Sequence, residues 1–306
     1  MQLAEINNYI EGVIRDSLPD SSKYPSHIVE AMNYAMSAGG KRIRPTLMYL
    51  TYKAFMGSHN ADENGMSNSA DEDAVVKPFM AAIEMIHTHS LIHDDLPALD
   101  NDSLRRGRPT VHVQFDESTA ILAGDALLNN AYEVVAEGAA SITDGYFNAF
   151  SILTAKTGKN GMLGGQGLDV ELSGSKITNE QRDYIYEKKT SALIEAPFMI
   201  GATLAGADKD IIGKLEKAGR SVGLAFQVQD DILDAIGDAE KLGKEVHQDE
   251  RNEKNTYVSE YGIEASKEYV KSESEKAVGI IREVMPDNEY RKLLITLVES
   301  MITREK

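Results

Sequence analysis

Aspartates at two places in the sequence have a spacing that could bind a divalent metal ion. In the segment FQVQDDILD, Asp230 and Asp234 are four residues apart, so on a helix both side chains would lie on one face. Gln227 precedes Asp230 by three residues and falls on the same stripe. Two carboxylates this close repel each other unless a cation lies between them, and hard oxygen ligands select Mg²⁺ or Ca²⁺ over softer metals. This segment therefore predicts a metal site.

The segment IHDDLPALDND contains the other aspartates, and its geometry differs. Asp94 and Asp100 are six residues apart, which places them about 120° from each other around an ideal helix. Pro97 lies between them and disrupts the helix, because its ring removes a backbone hydrogen bond. We therefore expect the chain to bulge here and to bring Asp100 back toward Asp94.

Basic residues are few in this chain, but they are grouped. The chain carries 32 Lys and Arg against 49 Asp and Glu, and a net charge of −17 disfavours nucleic acid and anionic membranes as partners. Two basic triplets stand out, Lys41, Arg42 and Arg44, and Arg105, Arg106 and Arg108. A lone Asp-Asp pair or basic triplet usually belongs to a solvated surface. Together, however, these four groups predict a site where metal ions bridge carboxylates to phosphates and guanidinium groups bind the remaining oxygens.

Helices must position these groups, because apolar residues recur at helical spacing along the chain, as at Ala82, Ile83 and Ile86. Alternating strand patterns and two-residue hairpin signals are hard to find, so the sequence predicts an all-α fold. Three polar or glycine-rich segments, 57–73, 157–176 and 237–256, are predicted to be loops. None of them resembles an interdomain linker, so we expect a single domain over residues 1–306.

The sequence also bears on the location of the protein. It contains no cysteine, which excludes disulfides, thiolate metal sites and cysteine catalysis. Its N-terminus lacks the basic region and apolar core of a signal peptide. No apolar run approaches the roughly 20 residues that a membrane span requires. These features predict a cytoplasmic protein without stable membrane insertion.

An ordered series of motifs covers most of the chain. In order they are GGKRIRP (39–45), IHTHSLIHDDLPALDNDSLRRGRPT (86–110), AGDALL (123–128), GMLGGQGLD (161–169), KT (189–190), GLAFQVQDDILD (223–234), LGK (242–244) and NEKNTY (252–257). The series resembles the trans-isoprenyl diphosphate synthase family, in particular its bacterial farnesyl diphosphate synthase (geranyltranstransferase) type. One DDxxxxD motif would be a weak signal, whereas the ordered series is specific.

The resemblance implies a fold and a reaction. The fold would be an isoprenoid-synthase-like bundle of antiparallel helices around a deep central cavity, usually in a homodimer. The reaction would be head-to-tail prenyl transfer, in which isopentenyl diphosphate and dimethylallyl or geranyl diphosphate give (2E,6E)-farnesyl diphosphate and diphosphate. Mg-assisted ionisation would produce an allylic carbocation that isopentenyl diphosphate attacks. The implied cofactor is Mg²⁺, about three ions per active site, with Mn²⁺ as a substitute.

The resemblance also assigns roles to individual residues. The implied Mg²⁺ ligands are Asp94, Asp95, Asp100, Asp230, Asp231 and Asp234. The residues expected to bind isopentenyl diphosphate are Lys41, Arg44, His87 and Arg106. Those expected to bind the allylic diphosphate are Arg105, Lys189, Lys244 and Lys254. The residues expected to face the reacting carbons are Lys189, Thr190 and Gln227, and those expected to support them are Gln166 and Asp169.

Three positions depart from the pattern of the family. Asn101 stands where relatives often have a third consecutive aspartate, and Gln248 stands where many have a lysine. His89 lies five residues before Asp94, about 7.5 Å along a helix, at the position that floors the product tunnel in the family. Because histidine is planar but smaller than tyrosine, we expect a mainly fifteen-carbon product with some twenty-carbon product.

Other functions are compatible with parts of this pattern. A geranylgeranyl diphosphate synthase would use the same chemistry and stop at twenty carbons. A non-catalytic regulatory subunit or metal-binding helical protein could keep the fold, but the loss of one aspartate cluster would be expected, and both clusters are complete. A terpene cyclase would not need a pocket for a second diphosphate, whereas GGKRIRP looks like part of such a pocket.

Overall fold

The computed structural model describes residues 2–23, 26–59, 72–138, 143–236 and 255–302. Almost all of these residues are helical, which confirms the all-α prediction. The chain forms two compact units, Met1–Thr46 with Asn68–Ile142 and Leu47–Ser67 with Thr143–Lys306. The single domain expected from the sequence stays a prediction. No helix in the described ranges is both long enough and apolar enough to cross a membrane.

The first unit contains helices and one short hairpin. Its elements are α1 (Leu3–Asp16), α2 (His27–Met36), α4 (Lys77–Asp94), β1 (Leu104–Arg105), β2 (Arg108–Pro109), α5 (Val111–Gln114) and α6 (Glu117–Glu137). Helix α3 (Ile43–His59) begins in this unit and continues in the second. Helix α4 packs against α1, α2 and α6 and forms the centre of the unit.

The second unit is entirely helical in its described residues. After α3 its elements are α7 (Asp144–Thr157), α8 (Met162–Glu171), α9 (Asn179–Ile185), a π-helix (Tyr186–Ser191), α10 (Ala192–Leu204), α11 (Lys209–Ile236), α12 (Tyr257–Tyr261), α13 (Ile263–Val284) and α14 (Glu289–Ile302). Helix α11 is the longest, and it packs against α10, α13 and the π-helix.

Helix α4 is apolar around most of its circumference, as expected for a helix enclosed by its neighbours. It begins with Pro78 in its first turn, where the missing backbone N–H costs no hydrogen bond. Phe79, Ile83 and Ile86 are fully buried. Glu84 is the one acidic residue of the helix before Asp94 and is also buried, so it requires a partner of opposite charge.

That partner is Arg42, which is buried as well. Its Nη1 donates to Glu84 at 2.9 Å, its Nε donates to Glu11 of α1 at 2.7 Å, and its Nη2 donates to the carbonyl oxygen of Met36 at 2.7 Å. Arg42 has a left-handed backbone (φ 45°), a conformation that L residues adopt only where the surroundings hold them in place. The pair therefore joins α1 and α4 to the segment between α2 and α3.

A hairpin that the sequence analysis missed interrupts the helices of the first unit. Leu104 pairs with Pro109 and Arg105 with Arg108, so the loop consists of Arg106 and Gly107 alone. Both loop residues have positive φ, 53° and 75°, which is the type I′ geometry of two-residue hairpins. Arg-Gly is not among the dipeptides that usually signal this turn, and each strand has only two residues, so no alternating pattern precedes it.

The loop predictions have mixed outcomes. The sequence predicts a loop over the glycine-rich segment 157–176, but half of that segment, Met162–Glu171, forms helix α8. Within this helix, Gly165 allows close packing against the backbone of Lys189 rather than a turn. In segment 57–73, α3 continues to His59, while residues 60–71 lie outside the described residues. Residues 237–254 of the third segment also lie outside them.

Candidate functional site

The first aspartate group lies where α4 ends. The helix stops at Asp94, and the chain then turns back, so that the backbone N–H of Asp100 donates to the carbonyl oxygen of Asp94 at 2.9 Å. Asn101, with φ of 55°, donates its N–H to the Leu96 carbonyl at 3.1 Å and closes the turn. The bulge expected around Pro97 is therefore present, and it brings the backbones of Asp94 and Asp100 together.

Asp95 differs from its neighbours because a protein cation already binds it. Asp95 is 3% exposed, and its Oδ1 accepts a hydrogen bond from Arg105 Nε at 2.6 Å and forms an ion pair with Arg105 Nη2 at 2.5 Å. Burial raises the pKa of the Asp95 carboxyl above its ordinary value, and the hydrogen bond from Arg105 opposes this shift. Arg105 also pairs with Asp102 at 3.2 Å. The ligand role expected for Asp95 stays a prediction.

Three of the residues expected to bind isopentenyl diphosphate influence one another electrostatically in the first unit. Burial, followed by the charges of Arg44 and Arg106, lowers the pKa of His87 well below its ordinary value, so the imidazole is neutral near pH 7. Burial also lowers the pKa of Arg44 to about 10, and Arg106 adds to this shift while Glu84 opposes it. Grouped cations of this kind favour the binding of an anion, which would offset their repulsion.

Arg44 also has a buried donor without a partner. No atom among the described residues accepts a hydrogen bond from its Nε. A buried donor left unpaired costs on the order of 1–3 kcal/mol, and more when it is charged. A ligand oxygen at this position would remove that cost. Arg44 therefore has the properties of an anion-binding residue.

Arg106 is held by the glycine pair that precedes Lys41. Its Nη1 donates to the carbonyl oxygen of Gly39. A Cβ on Gly40 would lie 2.6 Å from the same nitrogen, and Gly40 has φ of 140°, so only glycine fits there. Lys41 follows directly and is exposed. The contact brings the hairpin and the GGKRIRP segment together.

A small cavity of about 40 Å³ lies beneath the hairpin, lined by residues of α2, α4 and the hairpin that include Leu91, Ile92 and Arg105. It has room for about three water molecules and is too small for an isoprenoid chain. The deep central cavity implied by the resemblance stays a prediction.

His89, expected at the floor of the tunnel, is buried between α4 and α6. Its Nδ1 lies 3.0 Å from the carbonyl oxygen of Gly124, and its ring packs edge-on against His93 with centroids 4.6 Å apart. Burial, and then the charge of His93, lower the pKa of His89 to about 4. His89 therefore acts as a neutral, space-filling ring.

The second unit holds its candidate residues on the π-helix and α11. Lys189 Nζ donates to Asp169 of α8 at 2.6 Å, and Thr190 Oγ1 donates to Gln227 Oε1 at 2.8 Å. A π-helix inserts an extra residue per turn, and such segments occur often at functional sites. Lys189, Thr190 and Gln227 were all expected near the reacting carbons, and the structure brings Thr190 and Gln227 into direct contact.

The second aspartate group occupies the C-terminal part of α11. Asp231 is 4% exposed, and its Oδ1 accepts from Gln227 Nε2 at 3.1 Å while its Oδ2 accepts from the Tyr186 hydroxyl at 2.5 Å. Asp234 is buried and Asp230 is partly exposed, both on this helix as expected. Asp231 thus accepts hydrogen bonds from protein groups through both oxygens.

Two glycines allow the helices of this site to approach closely. A Cβ on Gly165 of α8 would lie 2.2 Å from the backbone nitrogen of Lys189. A Cβ on Gly223 of α11 would lie 2.5 Å from the Cα of Ser191. Contacts under 3.0 Å with backbone atoms cannot be relieved by rotating a side chain. These glycines therefore set the position of the π-helix.

The carboxylates are a suitable but incomplete ligand set for magnesium. Among the described residues, no three His, Asp or Glu side chains are close enough together to enclose a metal ion. Mg²⁺ commonly binds to one or two carboxylates and completes its shell with water and substrate phosphates. Asp94 with Asp100, and Asp230 with Asp234, fit that mode. Lys244, Lys254 and Gln248 lie outside the described residues.

Sequence reasoning missed two residues that organise these groups. Glu84 had a signal, because it is a single charged residue in the apolar run FMAAIEMI. Tyr186 had none, since its contact with Asp231 joins residues 45 apart in the chain.

Comparison with known proteins identifies relatives. Residues 25–291 match the family model for polyprenyl synthetase. A farnesyl diphosphate synthase from Micrococcus luteus is 40% identical over 273 residues, which cover 89% of each chain. A geranylgeranyl diphosphate synthase from Cyanophora paradoxa is 39% identical over 266 residues, 86% of this chain and 83% of the relative. The fold is similar to the structure of a geranyltransferase from Helicobacter pylori complexed with magnesium and isoprenyl diphosphate. The TM-score is 0.81 at 29% identity, and the match covers 98% of this chain and 95% of that chain.

Replacement of Gly223 by Ala tests the close approach of α11 and the π-helix. We expect Gly223→Ala to lower the free energy of unfolding by roughly 1–3 kcal/mol, because the methyl group meets backbone. Gly213→Ala on the same helix is the matched control, since a Cβ there has nothing within 4 Å. The control should stabilise by up to about 1 kcal/mol through helix propensity. Urea denaturation measures both, and equal stabilities for the two variants would contradict the packing argument.

Proposed function

Because this chain belongs to the polyprenyl synthetase family and is a prenyltransferase, we propose that it makes (2E,6E)-farnesyl diphosphate. The substrates are isopentenyl diphosphate and dimethylallyl or geranyl diphosphate. The allylic C–O bond breaks to give a carbocation and diphosphate. The double bond of isopentenyl diphosphate then attacks the cation, and loss of a proton, with the released diphosphate as base, completes the new unit.

The residues of the first unit bind and orient diphosphate groups. Arg44, His87 and Arg106 bind isopentenyl diphosphate together with Lys41, and the neutral imidazole of His87 contributes an N–H donor rather than a charge. Arg105 binds the allylic diphosphate, for which it must share its guanidinium with Asp95. Fixed cations of this kind stabilise a developing anion without having to reorganise during the reaction.

The residues of the second unit act on the carbocation. Thr190 and Gln227 present neutral oxygen dipoles that stabilise the cation without trapping it covalently, and Lys189 binds the allylic diphosphate.

Asp94, Asp100, Asp230 and Asp234 are the proposed Mg²⁺ ligands. When bound, Mg²⁺ supplies Lewis-acid stabilisation of the leaving diphosphate. Three ions per site and a contribution from Lys244 and Lys254 remain predictions, as does a cytoplasmic location.

One observation carries the proposal for the first unit. Arg44 is half-buried near a neutral His87, and its buried Nε has no acceptor in the described part of the chain. The unpaired donor carries a cost that a bound anion would remove, and isopentenyl diphosphate supplies the anion. A structural role alone would not require a donor to stay unsatisfied.

Turnover by the purified protein tests the proposal. With isopentenyl diphosphate, geranyl diphosphate and Mg²⁺, we expect farnesyl diphosphate, and none after chelation by EDTA. Arg44→Gln should raise the KM for isopentenyl diphosphate by about 10- to 100-fold, since a charge-assisted hydrogen bond is lost. The KM for geranyl diphosphate should change little. Exposed Arg15 provides the control Arg15→Gln.

Two results would decide against this assignment. Absence of turnover with every allylic diphosphate would favour a non-catalytic subunit of the same fold. An unchanged KM for isopentenyl diphosphate in Arg44→Gln would remove Arg44 from the site.

His89 is the proposed limit on product length. Its ring fills space between α4 and α6, and the small residue Gly124 lies opposite it. His89→Ala would empty that space, so we expect the products to shift from fifteen toward twenty carbons. His27→Ala, at an exposed histidine, is the control. Chromatography of the dephosphorylated products measures the shift, and an unchanged distribution would exclude His89 as the tunnel floor. A wild-type product of twenty carbons would instead identify a geranylgeranyl diphosphate synthase.

A homodimer is the proposed assembly. Ile121 and Leu122 of α6 are 45% and 49% exposed, and Val113 of α5 is 50% exposed. Apolar residues this exposed favour a protein interface. Light scattering of the wild type should give twice the mass of one chain. The Leu122→Glu variant should give the mass of a single chain. A monomeric wild type would contradict the proposal.

A further inference from the structure

Four side chains of the second unit form a continuous chain of hydrogen bonds. Thr190 Oγ1 donates to Gln227 Oε1 at 2.8 Å, Gln227 Nε2 donates to Asp231 Oδ1 at 3.1 Å, and the Tyr186 hydroxyl donates to Asp231 Oδ2 at 2.5 Å. Tyr186 and Thr190 are four residues apart on the π-helix, and Gln227 and Asp231 are four apart on α11. The chain therefore joins the two helices at two levels.

The direction of each hydrogen bond follows from the chemistry of its partners. An ionised carboxylate only accepts hydrogen bonds, so the NH₂ group of Gln227 must face Asp231. Its carbonyl oxygen then faces Thr190 and accepts the hydroxyl proton. Without Asp231 the amide could rotate by 180°, and its NH₂ group would face Thr190 instead. Asp231 thus determines which end of Gln227 lies next to Thr190.

Asp231 is itself held in place. Tyr186 is 8% exposed and donates the shortest of these three hydrogen bonds, to Asp231 Oδ2. The backbone N–H of Tyr257 approaches the same Oδ2 at 3.4 Å. A carboxylate with both oxygens engaged in this way has little freedom to rotate. The orientation set by Tyr186 is therefore passed through Asp231 to Gln227.

This arrangement has a consequence for the hydroxyl of Thr190. Its single proton is committed to Gln227, so its remaining lone pairs can face only away from that amide. A hydroxyl that presents lone pairs stabilises a nearby cation, whereas one that presents its proton does the opposite.

We infer that Tyr186 is a positioning residue for prenyl transfer, acting through Asp231 and Gln227 to keep the lone pairs of Thr190 directed at the allylic carbocation. The inference rests on the proposed function and deepens it. It gives Asp231 an orienting role in the hydrogen-bond chain, in place of direct ligation of Mg²⁺.

Tyr186→Phe removes the hydroxyl and keeps the ring. We expect kcat to fall about tenfold, because the lost hydrogen bond acts on the transition state. The KM for each substrate and the Mg²⁺ concentration for half-maximal rate should stay within about twofold of wild type. Tyr184→Phe, at a residue two positions earlier that is 41% exposed, is the matched control and should match wild type.

A second measurement does not depend on catalysis. In protein labelled with ¹⁵N-glutamine, the side-chain amide signal of Gln227 is identified by its loss in Gln227→Ala. We expect that signal to move in Tyr186→Phe and Asp231→Asn and to stay in place in Tyr184→Phe. The double variant Tyr186→Phe/Asp231→Asn should lose no more activity than the more impaired single variant, because the residues act in series.

Three outcomes would overturn the inference. The first is an unchanged kcat together with an unchanged Gln227 signal in Tyr186→Phe. The second is a raised Mg²⁺ requirement in that variant, which would mean that Tyr186 supports a metal ligand. The third is additive losses in the double variant. A wild type without turnover would instead contradict the proposed function, and the amide signals would still test the hydrogen-bond chain.

Discussion

The buried ion pair between Arg42 and Glu84 is the interaction on which the first unit depends. Each group would be very costly to bury alone, so the pair holds together only if α4 and the segment before α3 stay in contact. Lys41 and Arg44 are within two residues of Arg42 along the chain, so the pair restricts the positions available to both. Glu11 extends the same constraint to α1.

Around this pair the protein brings together groups that repel one another. Arg44 and Arg106 lie near enough to His87 to lower its pKa. The hairpin gives the neighbouring residues Arg105 and Arg106 different partners. Arg105 binds the carboxylate of Asp95, while Arg106 donates to the carbonyl oxygen of Gly39. Helix packing and the Arg42 pair hold these groups in place although they repel one another, so an anion that bound here would meet donors already in position.

The second unit also brings groups of like charge close together, in this case carboxylates instead of cations. Asp231 is adjacent to Asp230 and three residues before Asp234, and it avoids an uncompensated buried charge by accepting hydrogen bonds from Gln227 and Tyr186. Those contacts require the π-helix to lie directly against α11. Gly223 permits this approach because any side chain there would meet the backbone of Ser191. The contact between the π-helix and α11 therefore both packs the two helices together and supplies the hydrogen bonds that Asp231 accepts.

The sequence by itself determined the helical class, the chemistry of the aspartate and arginine groups and the bulge after Asp94, because these follow from composition, residue spacing and the local effect of Pro97. It did not predict the hairpin at Arg106, whose turn requires a left-handed backbone that arginine seldom adopts, and whose side chain reaches Gly39, 67 residues away in the chain. It also did not predict helix α8, since glycine usually disfavours helices and is tolerated there because Gly165 packs against Lys189. Only the tertiary structure decided which aspartates accept protein hydrogen bonds, because the partners of Asp95 and Asp231 are chosen by which helices and turns meet in space.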